Sequence, residues 1–175
     1  MLSLKDKEWK EFFLKDIFAV TQRGKRLTKA NQTSGVIPYI SSTASSNGVN
    51  NFIGNSAGVR LFSNCLTIAN SGSVGASFYH HYAFVASDHV THLKNDKFND
   101  FIYLFIATLT SRFSEKYNFY REINDKRISR EKIMLPVTLG GEPDYEYMEQ
   151  YAKSIFDKKK IEFERHAKDI LMNLD

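Results

Sequence analysis

The pattern of apolar and polar positions changes character twice along the chain. Residues 9–20 alternate apolar and charged side chains, which predicts a strand entering a short helix. Residues 36–94 are short β-branched and aromatic runs separated by Gly, Asn and Ser. The runs 36–41, 59–62, 66–69, 76–79, 83–86 and 90–93 predict strands. Asn47-Gly48 is a tight-turn signal. Residues 99–113 are then apolar at helical spacing over a wide face, which predicts a largely buried helix. A short strand is expected at 132–135, stopped by Pro136.

After Gly140-Gly141-Glu142-Pro143-Asp144 the chain reads as one long helix. Within it Phe156, Lys160, Phe163, Ala167, Ile170 and Leu174 recur at spacings of 4, 3, 4, 3 and 4, a heptad seam. Met148, Ala152 and Ile155 form a similar stripe one turn earlier, slightly out of phase. About thirty residues of helix span roughly 45 Å, and the sequence offers no second helix of that length to cover them. A partner helix from another chain is the economical expectation.

Composition places this reading in a class. With 175 residues and 42% apolar side chains the chain suits one folded domain plus an appendage. Its net charge is only +4, but the charge is unevenly spread. Residues 1–143 carry 18 Lys and Arg against 12 Asp and Glu, while residues 144–175 carry 6 against 8. Residues 17–87 contain no acidic residue, yet include Arg23, Lys25, Arg26 and Lys29 and many Ser, Asn and Gly. Positive charge without carboxylates suits a polyanion. Short polar side chains can also read base edges, so double-stranded DNA is the leading partner. Cys65, the single cysteine, falls in an apolar run and reads as a core residue. The charged first ten residues and the shortness of the apolar runs give no sign of a signal peptide or membrane span, so a cytoplasmic location is expected.

Three motifs could carry other chemistry. Pro143-Asp144 with Asp157-Lys158-Lys159 matches the PD…(D/E)xK pattern of Mg²⁺-dependent nucleases. On one helix, however, the two carboxylates stand about 20 Å apart and cannot share an ion. They read instead as a helix-entry Asp near the N-terminal dipole and a solvated charge run. His80, His81, Asp88, His89 and His92 suggest a metal, but on a strand His89 and His92 point to opposite faces and no Cys pair supports them. Asn70-Ser71-Gly72-Ser73-Val74-Gly75 lacks the Gly-Lys-Ser/Thr ending of a phosphate loop and reads as a tight turn exposing polar side chains. Tyr39 and Phe78 read as core residues before base-stacking platforms.

Several segments in this order carry a family resemblance. They are Trp9-x-x-Phe12-x-Leu14-Lys15-Asp16-Ile17-Phe18, then Arg23-Gly24-Lys25-Arg26, then Ile37-Pro38-Tyr39-Ile40-Ser41-Ser42-Thr43. Asn47-Gly48-Val49, Thr67 through Gly75 and Ser87-Asp88-His89-Val90-Thr91 follow. Arg127-Ile128-Ser129-Arg130-Glu131-Lys132-Ile133, with Leu135-Pro136, and the stretch from Gly141 to Glu149 close the series. Over nearly its whole length the chain resembles the DNA specificity subunits of type I restriction-modification systems and of related type IIB-like enzymes. The resemblance implies a target recognition domain followed by a long helix, a unit that normally occurs twice per subunit, with the two helices in an antiparallel coiled coil. Only one unit is present here and no internal repeat is found. The expectation is either a half-subunit that homodimerises or a piece of a longer chain.

The expected architecture is therefore α+β. A target recognition domain at 1–141, with a twisted, mostly antiparallel multi-stranded β core and packed helices, is followed by one long coiled-coil spacer helix at 142–175. By the resemblance, a separate methyltransferase subunit and a separate restriction/translocase subunit are its partners, and the chain needs no cofactor of its own. Lys25, Arg26 and Arg127 are candidates for phosphate contacts, and Ser42, Thr43, Asn47, Asn70, Ser71 and Arg121 for base readout. Phe156, Phe163, Ala167, Ile170 and Leu174 are candidates for dimerisation. The competing classes are a stand-alone Mg²⁺-dependent nuclease and a regulatory interaction module without DNA affinity.

Overall fold

A computed structural model describes residues 2–172. In chain order its elements are β1 (Trp9–Phe13), α1 (Leu14–Ile17), β2 (Val20–Arg23), β3 (Ser34–Ile40), β4 (Val49–Ile53), β5 (Leu61–Phe62), β6 (Cys65–Ala69) and β7 (Ser77–His80). They continue as β8 (Phe84–Ala86), β9 (Val90–Lys94), α2 (Asp100–Thr110), α3 (Phe113–Lys116), α4 (Asp125–Ile128), β10 (Lys132–Pro136) and α5 (Tyr145–Met172). The result is an α+β core of mainly antiparallel sheets with packed helices, ending in one long helix.

One four-stranded sheet has the order β2-β9-β6-β7 and is antiparallel throughout. The other has the order β4-β3-β8-β5, in which β3 and β8 run parallel. Parallel neighbours need a crossover, and here the chain leaves β3, builds β4 to β7 and returns as β8. The β1–β10 pair ties the start of the chain to the strand that precedes α5. Leu14, Leu66, Ile68, Leu93, Tyr103, Ile106 and Leu135 are fully or almost fully buried in the main core between sheet and helices.

The helix expected at 99–113 is α2, with Asn99 outside it as the N-cap. The Asn99 Oδ1 accepts hydrogen bonds from the Phe101 and Ile102 amides, satisfying donors that helix geometry leaves orphaned. Its buried face carries Ile102, Tyr103, Phe105 and Ile106. Each such side chain contributes about 1.5–3 kcal/mol when taken out of water. Tyr103 stacks on Tyr79 of β7 at 4.9 Å, and Phe105 meets Tyr151 of α5 edge-on at 6.0 Å.

Three local expectations change. β2 and β4 form where no strand is expected. Val20–Arg23 pairs with β9, and the Asn-rich Val49–Ile53 pairs with β3 as an edge strand. Backbone pairing to an existing sheet outweighs the poor strand propensity of Asn. Asn47-Gly48 does not make a two-residue hairpin. The β3–β4 connection is longer, and Ser46, Asn47 and Gly48 all take left-handed φ values of 50°, 52° and 82°. β10 includes Pro136, which is opposite Trp9 at the end of the pair, where a missing N–H costs little.

Asp144 accepts from the Tyr147 amide at 3.0 Å and pairs with Lys7, so α5 starts at a capped, anchored end. Its first turns belong to the core: Met148 is fully buried and Tyr147 nearly so. Beyond Phe156 the helix changes. Every residue of 157–172 is exposed except the half-buried Ala167. Among the described residues, no helix is long and apolar enough to cross a membrane.

Candidate nucleic-acid interface

The loops at one end of the sheets are tied to each other by backbone hydrogen bonds. The Gly24 amide donates to Val90 O and the Lys25 amide to Ala86 O, both at 3.0 Å, so the segment after β2 lies across the β8–β9 turn. A side chain at Gly24 would bring a Cβ within 2.1 Å of Ala86 O, so only glycine permits this crossing. The Asn70 amide donates to His89 O at 2.8 Å, the Ser73 amide to Ser42 O at 3.0 Å, and the Ile123 amide to Asn70 O at 3.0 Å. The loops after β2, β3, β6 and β8 and the segment before α4 are thus joined through the β8–β9 turn and the 70–73 loop.

This arrangement brings together part of the expected site. Lys25 and Arg26 are exposed. Arg26 lines a recess of about 260 Å³ with Ser42, Ser87, Asp88 and His89. Ser42 and Thr43 are half-buried, and the Thr43 hydroxyl accepts from the Ser45 amide at 3.2 Å. The Ser71 Oγ lies 2.8 Å from His89 Nδ1, and the residue is 8% exposed. Arg121 and Arg127 are exposed on the segment that Ile123 anchors. The Arg121 guanidinium sits 5.3 Å from the centre of the Tyr117 ring, and that of Arg127 donates to Glu122 O.

Two candidates are placed elsewhere. Asn47 lines a different recess, with Phe78, Tyr79 and Leu104 on the α2 side. Asn70 requires a correction, because it is turned inward and only 2% exposed. Its Nδ2 donates to Ile123 O and its Oδ1 accepts from Thr91 Oγ1, both at 3.0 Å. Both ends of the amide are committed, so Asn70 positions the loops instead of reading a base. Nothing in a run of Asn, Ser and Gly distinguishes an inward Asn from an outward one.

Sequence reasoning also missed residues. A groove of about 740 Å³ beside Gly24 is lined by Lys15, Arg23, Arg60, His89, Asp88 and Asp125, among others. The Arg60 Nη1 donates to Arg23 O at 2.7 Å, which holds this distant cation beside the basic loop. Arg60 stands between Val59 and Leu61 with no other charged residue from 30 to 87, so no cluster signals it. The acid-free stretch does not give an acid-free surface either. Asp88 and Asp125 enter the groove from outside the stretch, and Asp125 pairs with Arg23 at 2.7 Å.

The other motifs have structural partners. Asp144 is the helix cap, whereas Asp157 lies on the same helix and faces Lys153 at 3.5 Å. Burial tends to raise the Asp144 pKa, but the Lys7 ammonium and the Tyr147 amide outweigh it and hold the carboxyl below its ordinary value. His80 is fully buried between Thr67 and Tyr82, with its ring nitrogens 2.9 and 3.0 Å from their hydroxyls. Burial, aided by nearby His81, pushes its pKa down from 6.5 to about 4. His92 stacks on Phe62 at 4.0 Å, and its Nδ1 is 2.7 Å from Gln22 O. Cys65 is fully buried, and burial pushes its thiol up to about 12. Tyr39 is core, its hydroxyl donating to Leu27 O, while Phe78 is half-buried and lines open recesses.

Residues 6–165 match the family model of the type I restriction modification DNA specificity domain. The specificity subunit S.BcgI of a type II restriction enzyme from Heyndrickxia coagulans is 37% identical over 158 residues, which cover 89% of this chain and 46% of that one. The S subunit of a type I restriction-modification system from M. genitalium superposes with a TM-score of 0.64 at 16% identity, covering 95% of this chain and 43% of that one. The HsdS subunit from Thermoanaerobacter tengcongensis gives 0.57 at 16% identity, over 90% of this chain and 39% of that one. These two structural likenesses concern the fold. The chain belongs to the type I restriction modification DNA specificity domain family. It spans about half the length of the relatives it matches.

Proposed function

We propose that this chain recognises a specific sequence in double-stranded DNA and directs separate methyltransferase and restriction/translocase subunits to it, in the cytoplasm, without supplying a catalytic group. The carrying observation is that a member of this family gathers Lys25, Arg26, Ser42 and Ser71 on one set of loops tied through the β8–β9 turn. Lys25, Arg26, Arg60 and Arg127 contact phosphates, and Ser42, Thr43 and Arg121 reach base edges, while the buried Ser71 hydroxyl holds the exposed His89 beside them. Asn47 lies apart and would contribute only at the margin of the bound duplex.

The body (1–141) and the helix (142–175) divide the work. Phe156, Phe163, Ala167 and Ile170 present the helix to a second copy, in a coiled coil; Leu174 lies outside the described residues. A two-fold dimer places two recognition surfaces on a split palindromic site. The relative at 37% identity is named for a type II restriction enzyme, which favours as a second reading the specificity subunit of a type IIB-like system.

Binding-site selection from a randomised duplex library tests the proposal. The selected duplex should bind at least about a thousandfold tighter than its scrambled version. Lys25→Ala with Arg26→Ala should weaken binding about tenfold and reduce the slope of log K against log salt by about 2. Equal binding to every duplex rejects sequence recognition.

A further inference from the structure

The segment between α3 and α4 ends in an unusual tip. Asn118 and Arg121 exchange backbone hydrogen bonds of 2.9 and 3.4 Å, closing a two-residue turn around Phe119 and Tyr120. The Asn118 Oδ1 also accepts from the Tyr120 amide at 3.0 Å. Phe119 is 72% exposed and Tyr120 96% exposed, and their rings stand edge to face, 5.6 Å apart. Apolar rings are thus held in water by a closed turn, although the core lies directly behind them.

The base of the turn is anchored. Tyr117 is 3% exposed, and its hydroxyl donates to the Glu131 carboxylate, which Lys116 also holds at 2.8 Å. Arg121 lies over the other part of that ring, and Ile123 is fixed to Asn70 through both its amide and its carbonyl. Phe119 lines a recess of about 510 Å³ together with Gly72 and Ser73, the loop hydrogen-bonded to Ser42. The tip therefore projects beside the recognition loops.

We propose that this turn is an aromatic finger that enters the duplex, with Phe119 and Tyr120 stacking on base planes at a locally opened step next to the recognised site. The inference rests on the DNA-recognition reading and adds a contact to it. The charge around the tip selects the occupant. Arg121, Lys126 and Arg127 follow the two rings within eight residues and are exposed, against two exposed carboxylates, Glu122 and Asp125, of which Asp125 is already paired with Arg23. DNA offers apolar base faces with phosphates alongside, matching rings flanked by cations. Apolar wedges of this kind open a base step and let the protein engage a deformed duplex.

The experiment uses the full chain and the selected duplex with 2-aminopurine placed in turn at each position. Wild-type protein should brighten the probe at one step, where stacking on a neighbouring base is lost. Phe119→Ala with Tyr120→Ala should leave that probe dark and bind about tenfold more weakly or worse. Its salt slope should stay unchanged, because an apolar contact releases no counterion. Tyr120→Phe should keep the signal, since the ring and not the hydroxyl does the stacking. If the double alanine variant binds and brightens like wild type while Lys25→Ala with Arg26→Ala still loses affinity, the finger is rejected and the recognition reading stands. If that variant keeps its DNA response but loses a co-expressed methyltransferase subunit, the tip is a protein contact and the finger is again rejected. A wild-type chain that binds no duplex overturns both.

Discussion

The body of the chain and the far part of α5 dispose of their apolar side chains in opposite ways. In the body, Phe84, Leu66, Ile68, Tyr103 and Leu135 show no exposed surface, and buried polar groups such as Asn70 and His80 have hydrogen-bonding partners. Among the described residues of 157–172, Ile161, Phe163, Ile170, Leu171 and Met172 remain between 48% and 71% exposed. Apart from the tip at Phe119 and Tyr120 and scattered residues such as Val36 and Leu139, the body has used its apolar surface internally and offers charge and hydrogen bonds outward. A helix that has not used it offers a hydrophobic stripe. On the proposed function the difference separates two kinds of interaction in one chain, and each should be open to disturbance without the other.

The largest effect should come from the helix. Phe163→Glu with Ile170→Glu should reduce the mass measured by light scattering to that of a monomer. The thermal unfolding of the body should change by less than about 0.5 kcal/mol, as for other exposed sites. A dimeric mass in this variant breaks the assignment of the stripe to self-association.

The body should answer to pH instead. Because the folded His80 pKa is lowered from 6.5 to about 4, the unfolded chain binds a proton between these values that the folded chain refuses. Stability is fully present above about pH 6.5 and falls by about 3 kcal/mol on acidification through pH 4. Denaturant melts at a series of pH values check this, and His80→Gln should flatten the step. A step that survives the substitution assigns it to another group.

Asn70→Ala strips partners from the Ile123 carbonyl and the Thr91 hydroxyl, and should cost about 2 kcal/mol in a urea melt. A loss below about 0.5 kcal/mol would return Asn70 to the list of outward-facing residues. The smallest effect lies at the junction of the two regions. Asp144→Ala removes the cap of α5 and should cost about 1 kcal/mol. Since the Asp144 pKa is depressed on folding, its contribution is present above its unfolded value of 3.8 and is lost as pH falls through the lower folded value. Unchanged melting on substitution would show that α5 docks through its apolar face alone.

Much of this architecture could be read before the fold was seen. The strand runs at 66–69, 83–86 and 90–93 and the wide apolar face of α2 carry strong periodic signals, since burial on a sheet or helix imposes them. β4 was not readable, because Val49–Ile53 holds two Asn residues and becomes a strand only by pairing with β3. Within the candidate site, Lys25 and Arg26 announced themselves as a cluster. Arg60 did not, because its place beside the basic loop depends on a hydrogen bond to Arg23 across 37 positions of sequence.

The sequence by itself determined the types of the strongly patterned elements, the change from β-rich body to long helix, the apolar seam and the family. Those are consequences of local periodicity and of ordered motifs. Tertiary structure alone decided which polar side chains face outward. Asn70 and Ser71 are neighbours in a run of polar residues, yet both are buried, one locked between Ile123 and Thr91 and the other held against the exposed His89. It also decided that Asp88 and Asp125 enter the basic groove and that Phe119 and Tyr120 stand clear of the core. The physical reason is common to all of these. The direction of a loop side chain depends on which distant backbone groups need partners, and that is known only once the chain has closed on itself.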